Sequence, residues 1–302
     1  MGLHGVVTTF AKWKSDGFEF HIHHNMFVIE KYRQYCMQRG IPFQMDNSIR
    51  SYDDTSLFCP AGMQQFKNKF KDTDYTGTLS NVQSCLRVKD IDEIGDGEHL
   101  LYFNMIGLFS FREMTVQEAI SFFMEFLIEI DVKPDEVTIH PNKQEWIKYY
   151  KYHDVALKYD NECKWSDGDI GGYCTEFYKD GVEIGNIVNP LGTCIDVGFG
   201  LERLESFISN KNRSEEETLR ESIHKIIDSG YRPSNTKQGY VLRKLLRICY
   251  QREIVINHDF YEDEVKRQEK IYSRWLKLKN KHSDKSKEWW WDTMGIDIDI
   301  VK

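Results

Sequence analysis

The residues best suited to chemistry lie in the stretch Cys194-Ile195-Asp196-Val197-Gly198-Phe199-Gly200-Leu201-Glu202-Arg203. A β-branched run ends on an acid, two glycines follow one residue apart, and a helical pattern opens with Arg203 in its first turn. A strand of this kind delivers Asp196 to a surface where the Gly198 and Gly200 backbone lets a ligand come close. Arg203 then stands where a helix N-terminus and a guanidinium can both face phosphate. A plain strand-turn-helix corner with a surface arginine accounts for the same ten residues. The run His21-Ile22-His23-His24 invites a metal reading, but no carboxylate or partner motif accompanies it, and a polar loop or edge strand is the simpler expectation.

The elements that must position these groups are read from composition and period. At 302 residues, with 40% hydrophobic and 14% aromatic content, the chain can bury a large core as one big domain or two smaller ones. No apolar run reaches the ~20 residues that span a bilayer, and Met1 to Trp13 does not have the pattern of a secretory signal. Seven cysteines without CxxC pairs suit reduced thiols in a cytoplasmic setting. A net charge of −8 argues against indiscriminate polyanion binding but leaves room for a local basic surface.

The chain reads as follows. Asn25 to Gly40 has a helical pattern, and Phe58 to Lys67 looks like a strand, a tight turn and a helix start. Cys85 to Val88 and His99 to Ile106 are strands around a polar, acidic loop, with Arg87 at its entrance. Thr115-Val116-Gln117-Glu118 is a capping box, and Val116 to Ile130 is an apolar helix whose Phe122, Phe123, Phe126 and Leu127 belong to the core. Val137 to His140 is a strand, Lys143 to Lys158 a helix, and Trp165 to Gly172 a Gly/Asp-rich loop. Short strands follow around Cys174 to Tyr178, Val182 to Val188 and Thr193 to Val197. The fold class is therefore α+β, an antiparallel sheet flanked by helices.

After Arg203 helices dominate: Leu204 to Ser209, Thr218 to Ser229, Tyr240 to Arg252 and Glu262 to Lys281. Nine Lys/Arg fall between Lys266 and Lys287 against Glu269 and Asp284, with Tyr272 and Trp275 interleaved. A solvated helix face is the simpler reading of that run. The polar stretch near Asn210 to Glu217 divides the chain into a domain over 1–210 and a helical domain over 211–302.

Several blocks, in order, resemble the class II aminoacyl-tRNA synthetases, and among them the N-terminal part of the alanyl-tRNA synthetase family. Asp53 to Phe66, with Ala61-Gly62-Met63 and Gln65-Phe66, resembles the family's stretch ending in AGM and QF. Ser84-Cys85-Leu86-Arg87 and Phe103 to Phe111 are similar to the two arms of motif 2. Trp165-Ser166, Cys174-Thr175-Glu176 and Glu183 to Val188 match the blocks before motif 3, which Ile195 to Arg203 resembles. Arg232-Pro233-Ser234-Asn235, Gly239 to Lys244 and Trp291 to Gly295 are similar to the acceptor-stem-reading part.

The resemblance implies a class II catalytic fold followed by a helical tRNA-recognition domain. It implies two steps, with ATP and Mg2+: a carboxylate attacks the α-phosphate to give an aminoacyl-adenylate and pyrophosphate, and an acceptor hydroxyl takes the acyl group as AMP leaves. Such chemistry needs cations on phosphate and an anion on the ammonium. By this likeness Arg87 clamps the α-phosphate and carboxylate. Arg203 holds the distal phosphate or stacks over adenine opposite Phe109. Asp196 pairs with the substrate ammonium. Trp165, Asn186, Val188 and Gly198 form a small pocket suited to alanine, and Glu176 serves ATP or metal binding. Trp165 and Val188 as plain core, and Glu176 as a strand-edge charge, are the alternatives.

In the helical part, Asn235 and Asp292 are candidates for reading bases of the alanine acceptor stem. Arg243, Lys244 and Arg247, with the Lys266 to Lys287 run, are candidates for phosphate contacts. The family usually has Glu at Asn104, Asn at Leu108 and Arg at Glu98, positions expected to flank the ATP and amino-acid site. The loop before Cys174 is short, and no HxxxH editing motif follows, so removal of a wrong amino acid is expected from another protein or not at all. The leading expectation is a minimal alanine–tRNA ligase with tRNA and a small amino acid as partners and no membrane. The alternatives are a paralogue that hands an activated amino acid to a carrier protein, peptide or metabolite, and a non-catalytic binding protein. Asp196 and the two arginines speak against the last, since buried charges are costly to keep without a use.

Overall fold

The structure is a computed structural model that describes residues 19–92 and 100–296, with side chains described for 27–89, 91 and 100–296. The chain divides into two compact units, Met1–Arg213 and Ser214–Lys302.

The first unit is built on a nine-stranded sheet. Its strands are β1 (Phe43–Asp46), β2 (Gly77–Leu86), β3 (Tyr102–Phe111), β4 (Glu136–Ile139), β5 (Ala156–Tyr159), β6 (Lys164–Asp167), β7 (Ile170–Lys179), β8 (Val182–Val188) and β9 (Cys194–Gly200). The order is β1-β2-β3-β9-β8-β7-β4-β5, with β6 paired to β7. Pairings from β2 through to β4 are antiparallel, while the outer pairs β1–β2 and β4–β5 are parallel, so the sheet is mixed rather than wholly antiparallel.

Period two separates the faces. On β9, Ile195, Val197 and Phe199 are fully buried in the main core, as are Ile106 and Leu108 on β3. That face is covered by α1 (Glu19–Gln38) and α3 (Val116–Glu129), with α2 (Lys67–Lys71) between them in sequence. Phe123 of α3 stacks on Phe199 with ring centroids 4.9 Å apart, and the Tyr32 hydroxyl of α1 donates to the Gly107 carbonyl at 2.9 Å. The expected capping box is formed by Thr115 and Glu118, and Phe122, Phe123, Phe126 and Leu127 are buried. The opposite face carries the polar Asp196, Asn186 and Asn81, with Gly107, Gly198 and Met105 among them.

Several expectations are corrected. His21 to His24 lie inside α1 rather than in a loop or edge strand; the side chains invoked for a metal lie outside the described residues, as does Glu98. The helix expected from Lys143 to Lys158 is a 3-10 segment, Pro141–Tyr150, followed by β5, because Pro141 and a non-helical Lys143 (φ −122°) interrupt the α pattern. Trp165 to Gly172 is a hairpin, not a loop: Gly168 (φ +61°) turns β6 into β7, so Asp167-Gly168 acts as a turn signal. The strand bearing Asp196 runs on to Gly200, which places the acid in mid-strand.

The second unit contains, among the described residues, α5 (Glu215–Asp228), α6 (Lys237–Gln251), α7 (Asp259–Leu278) and α8 (Lys287–Met294); α4 (Leu201–Ser209) closes the first. Ser214 and Glu217 cap α5. Leu242, Leu245, Leu246 and Cys249 make the buried stripe of α6. Trp290 packs with Ile296 against Ile271, Trp275 and Leu278, tying α8 to the end of α7. No helix among the described residues is long and apolar enough to cross a membrane.

Candidate active site

Four of the expected residues form a square on the open face of the sheet. Val188 of β8 pairs with Asp196 of β9, and two residues along the same strands Asn186 pairs with Gly198. Period two brings all four side-chain positions to one face, within roughly 5 by 7 Å. Trp165, carried by β6, is half-buried and packs beside Val188. Above Gly198 the space is small: a Cβ there would come within 3.0 Å of Met105 Sδ. The arrangement suits a short side chain and an ammonium group.

Asp196 is 9% exposed, and its carboxyl has neither a hydrogen bond nor an ion pair among the described residues. Burial alone pushes its pKa up to about 7. A buried carboxyl with no counter-charge is costly, and an incoming ammonium supplies the charge that offsets this. Asn81 adds a second acceptor on the same face. Its Nδ2 donates to Asp46 Oδ2 at 3.0 Å, which fixes the amide, and its buried Oδ1 has no donor. Asn81 pairs with Gly107, which pairs with Gly198, so this acceptor lies in the same transverse row as the square.

The cations gather around an acid that sequence reasoning did not single out. Arg87 follows β2 directly, donates from Nε to the Pro60 carbonyl at 3.0 Å, and lies over the Phe103 ring at 4.9 Å. Arg203, in the first turn of α4, donates to the Glu183 carbonyl at 2.7 Å. The Glu183 carboxyl is raised by burial and by Glu176, while Arg203 and Arg87 pull the other way. Asn186 Nδ2 lies 3.5 Å from Glu183 Oε1. Glu183 thus joins Arg203 to the square through its carbonyl and lies within electrostatic reach of Arg87. Its signal in the sequence was its place at the head of the Glu183 to Val188 block, with no charge pattern to mark it.

Three expected positions fall elsewhere. Phe109, expected to stack on a base opposite Arg203, is fully buried against Phe66 at 4.7 Å in a cluster with Met63, Phe70 and Phe111, and has no ring face to offer. Phe103, on the same face of β3 and beneath Arg87, is the ring beside the cations. Asn104 and Leu108, expected to flank the substrates, point away from this face. Leu108 is fully buried in the main core. The Asn104 backbone N–H and side-chain amide both donate to the buried Glu202 carboxylate at 2.9–3.0 Å, a carboxylate that Arg213 also approaches at 3.6 Å. A glutamate at 104 would set two carboxylates against each other, so the amide matches its neighbour. Glu176 accepts from Thr138 at 3.2 Å and Tyr178 at 2.9 Å, and sits beside two thiols.

In the second unit, Asn235 is held by a turn that only glycine permits. A Cβ on Gly239 would fall 2.3 Å from Ser234 Oγ and 2.4 Å from the Arg232 carbonyl, so the Arg232 to Thr236 turn folds directly onto the start of α6. The Asn235 side chain is exposed and accepts from Arg243. Burial and the neighbouring Arg267 and Arg247 lower the Arg243 pKa, which marks a cluster of guanidinium groups across α6 and α7. Lys244 is half-buried on α6, and Asp292 is exposed on α8.

Comparison with known proteins gives this geometry a family. The profile of the tRNA synthetases class II (A) matches residues 30–230. The alanine–tRNA ligase of Chlamydia trachomatis serovar L2 is 30% identical over 296 residues, covering 70% of this chain and 34% of that protein. That of Chlamydia muridarum is 31% identical over 278 residues, covering 65% and 32%, and that of Francisella tularensis subsp. tularensis 29% over 297 residues, covering 72% and 34%. The chain spans about a third of the length of these relatives. Among solved structures it is similar to apo S. aureus histidyl-tRNA synthetase, at 12% identity and a TM-score of 0.44 over 64% of this chain and 69% of that one. It is also similar to a pyrrolysyl-tRNA synthetase from Desulfitobacterium hafniense, at 13% identity and a TM-score of 0.42 over 64% and 72%. The chain belongs to the class II (A) tRNA synthetases.

Proposed function

We propose that the chain activates alanine with ATP and transfers it to the 3′ end of a tRNA. The observation that carries this reading is Asp196, a buried carboxyl without a partner, set in a square with Val188, Asn186 and Gly198 and closed by Trp165. Asp196 accepts the substrate ammonium and so fixes the amino acid by the group all α-amino acids share. Met105 above Gly198, with Val188 and Trp165, leaves room for a methyl group and excludes larger side chains. Arg87 takes the charge that develops as the carboxylate attacks the α-phosphate, and Arg203 holds the distal phosphates. Phe103 supports the Arg87 guanidinium from below.

The donor chemistry at Glu183 fits Mg2+: a carboxylate raised by burial and then by a second carboxylate, Glu176, with the Asn186 amide beside it. Glu183 and Asn186 would hold the ion, which when bound neutralises phosphate charge. The substitutions at Asn104 and Leu108 lie on the structural side of β3, so they do not favour a different amino acid or acceptor.

The acceptor is tested by charging. Labelled alanine, ATP and total tRNA should give acid-precipitable, alkali-labile label in wild type. Asn235→Ala should lower that label by about 5-fold to 150-fold, the ~1–3 kcal/mol of a lost base contact, and leave adenylate formation intact. Label in wild type that resists alkali, or an equal loss of both steps in the variant, would reject the tRNA reading.

A further inference from the structure

The side chains beside Glu176 form a constellation that activation of an amino acid does not use. Cys163 precedes β6 and Cys174 lies on β7, directly opposed one step beyond the Lys164–Tyr173 pair, and the Cys174 amide donates to the Cys163 carbonyl at 3.0 Å. Glu176 follows Cys174 by two residues, so the pleat returns it to the same face. The two Sγ atoms and a Glu176 carboxylate oxygen all lie within 4.8 Å of one another. Both cysteines are buried, at 0% and 2% exposure. Thr138 of β4, register-paired with Glu176, places its hydroxyl 2.9 Å from Cys163 Sγ and 3.2 Å from Glu176 Oε2, and the Tyr178 hydroxyl donates to the same Oε2 at 2.9 Å.

All seven cysteines are free and buried, yet this pair stands apart. Cys59 and Cys85 also adjoin each other through their thiols, but among the described residues no carboxylate or imidazole completes a third ligand there. Among the described residues, Cys163, Cys174 and Glu176 are the one group with three ligand atoms close enough to chelate.

We infer that Cys163, Cys174 and Glu176 form a binding site for a thiophilic divalent cation of the zinc class. Two sulfurs with one carboxylate select zinc-like ions over magnesium or calcium, which prefer all-oxygen sets. At metal–sulfur bonds of ~2.3 Å and metal–oxygen bonds of ~2.0–2.2 Å, tetrahedral ligand atoms stand roughly 3.5–3.8 Å apart. The triangle therefore closes with about an ångström of side-chain rotation. Thr138 and Tyr178 orient the carboxylate through hydrogen bonds, as groups behind a metal ligand do. As the two sulfur–metal bonds form, each thiol releases its proton to solvent, and no electron changes hands. Cys163 and Cys174 pack with Val188 and Trp165, so the bound ion braces the β6–β7 hairpin behind the small pocket. The site itself does not depend on which amino acid that pocket takes.

The test is a cobalt titration of the full chain, purified in reductant and freed of metal. Wild type should bind one equivalent of Co2+ with thiolate-to-cobalt charge-transfer and tetrahedral ligand-field absorption, and Zn2+ should displace it. Cys163→Ser and Cys174→Ser should each lose most of the charge-transfer band. Glu176→Gln, nearly isosteric and checked for folding by circular dichroism, should weaken binding ~10–100-fold. Cys59→Ser should change nothing. Absence of the charge-transfer band at saturating Co2+, or a band unchanged in Cys163→Ser and Cys174→Ser, would overturn the site. Isolation of the pair as a Cys163–Cys174 disulfide that Co2+ cannot enter without reductant would overturn it too, and would make the pair a redox element instead.

Discussion

Asp196 sets what the site can do at the scale of single residues. Its folded-state pKa of about 7 stands above the ordinary 3.8 because burial penalises the charge. Protonation therefore favours the fold: that contribution is complete below the unfolded value and is lost as pH rises through about 7. The shift corresponds to roughly 4 kcal/mol. Asp196→Asn should consequently be more stable than wild type near about pH 8, by roughly 2–4 kcal/mol, with the gap closing toward about pH 4. Denaturant midpoints across pH would show it, and a gap independent of pH would contradict it. In catalysis the sign reverses, because the ionised carboxyl is the form that takes an ammonium. Amino-acid kcat/KM should fall about tenfold per unit below about pH 7, and Asp196→Asn should abolish activity at any pH.

Residues in the square were legible because a strand has period two and Asp196, Gly198, Asn186 and Val188 obey it. Glu183, Asn81 and Phe103 were not. Each owes its role to a neighbour on another strand, and no local pattern distinguishes a buried acceptor without a donor from an ordinary strand amide. Phe109 misled for the opposite reason: it shares the face of the site, but Phe66 covers it.

Among elements, the β6–β7 hairpin matters most to the pocket, since it brings Trp165 to Val188. Its packing leaves no space at Gly172, where a Cβ would fall 2.1 Å from the Asn189 carbonyl oxygen. That atom is backbone and cannot rotate aside, and the Asn189 amide is bound to the Tyr173 carbonyl at 2.9 Å. Gly172→Ala should cost about 1–3 kcal/mol, the usual range for overpacking, and raise the KM for amino acid more than it lowers kcat; an unchanged denaturant midpoint would show that the hairpin yields freely. The central strands and the Phe-rich α3 were readable from apolar period and the Thr115–Glu118 cap. The hairpin was hidden by its glycines and acids, which composition assigns to a loop although Asp167-Gly168 is a turn signal. The segment after Lys143 carried an apolar helical period that Pro141 and the Lys143 backbone override.

For the molecule as a whole, the groups proposed for activation lie in Met1–Arg213 and those proposed for tRNA in Ser214–Lys302. The net charge of −8 conceals this, since Arg243, Arg247 and Arg267 form a local cluster within the second unit. Activation should therefore proceed without tRNA. Amino-acid-dependent ATP–pyrophosphate exchange, run over the standard amino acids with no tRNA present, tests that most directly. Exchange driven by alanine, lost in Asp196→Asn, is the predicted result; exchange supported by none of them, or retained in Asp196→Asn, would contradict the assignment of this face as an amino-acid-activating site.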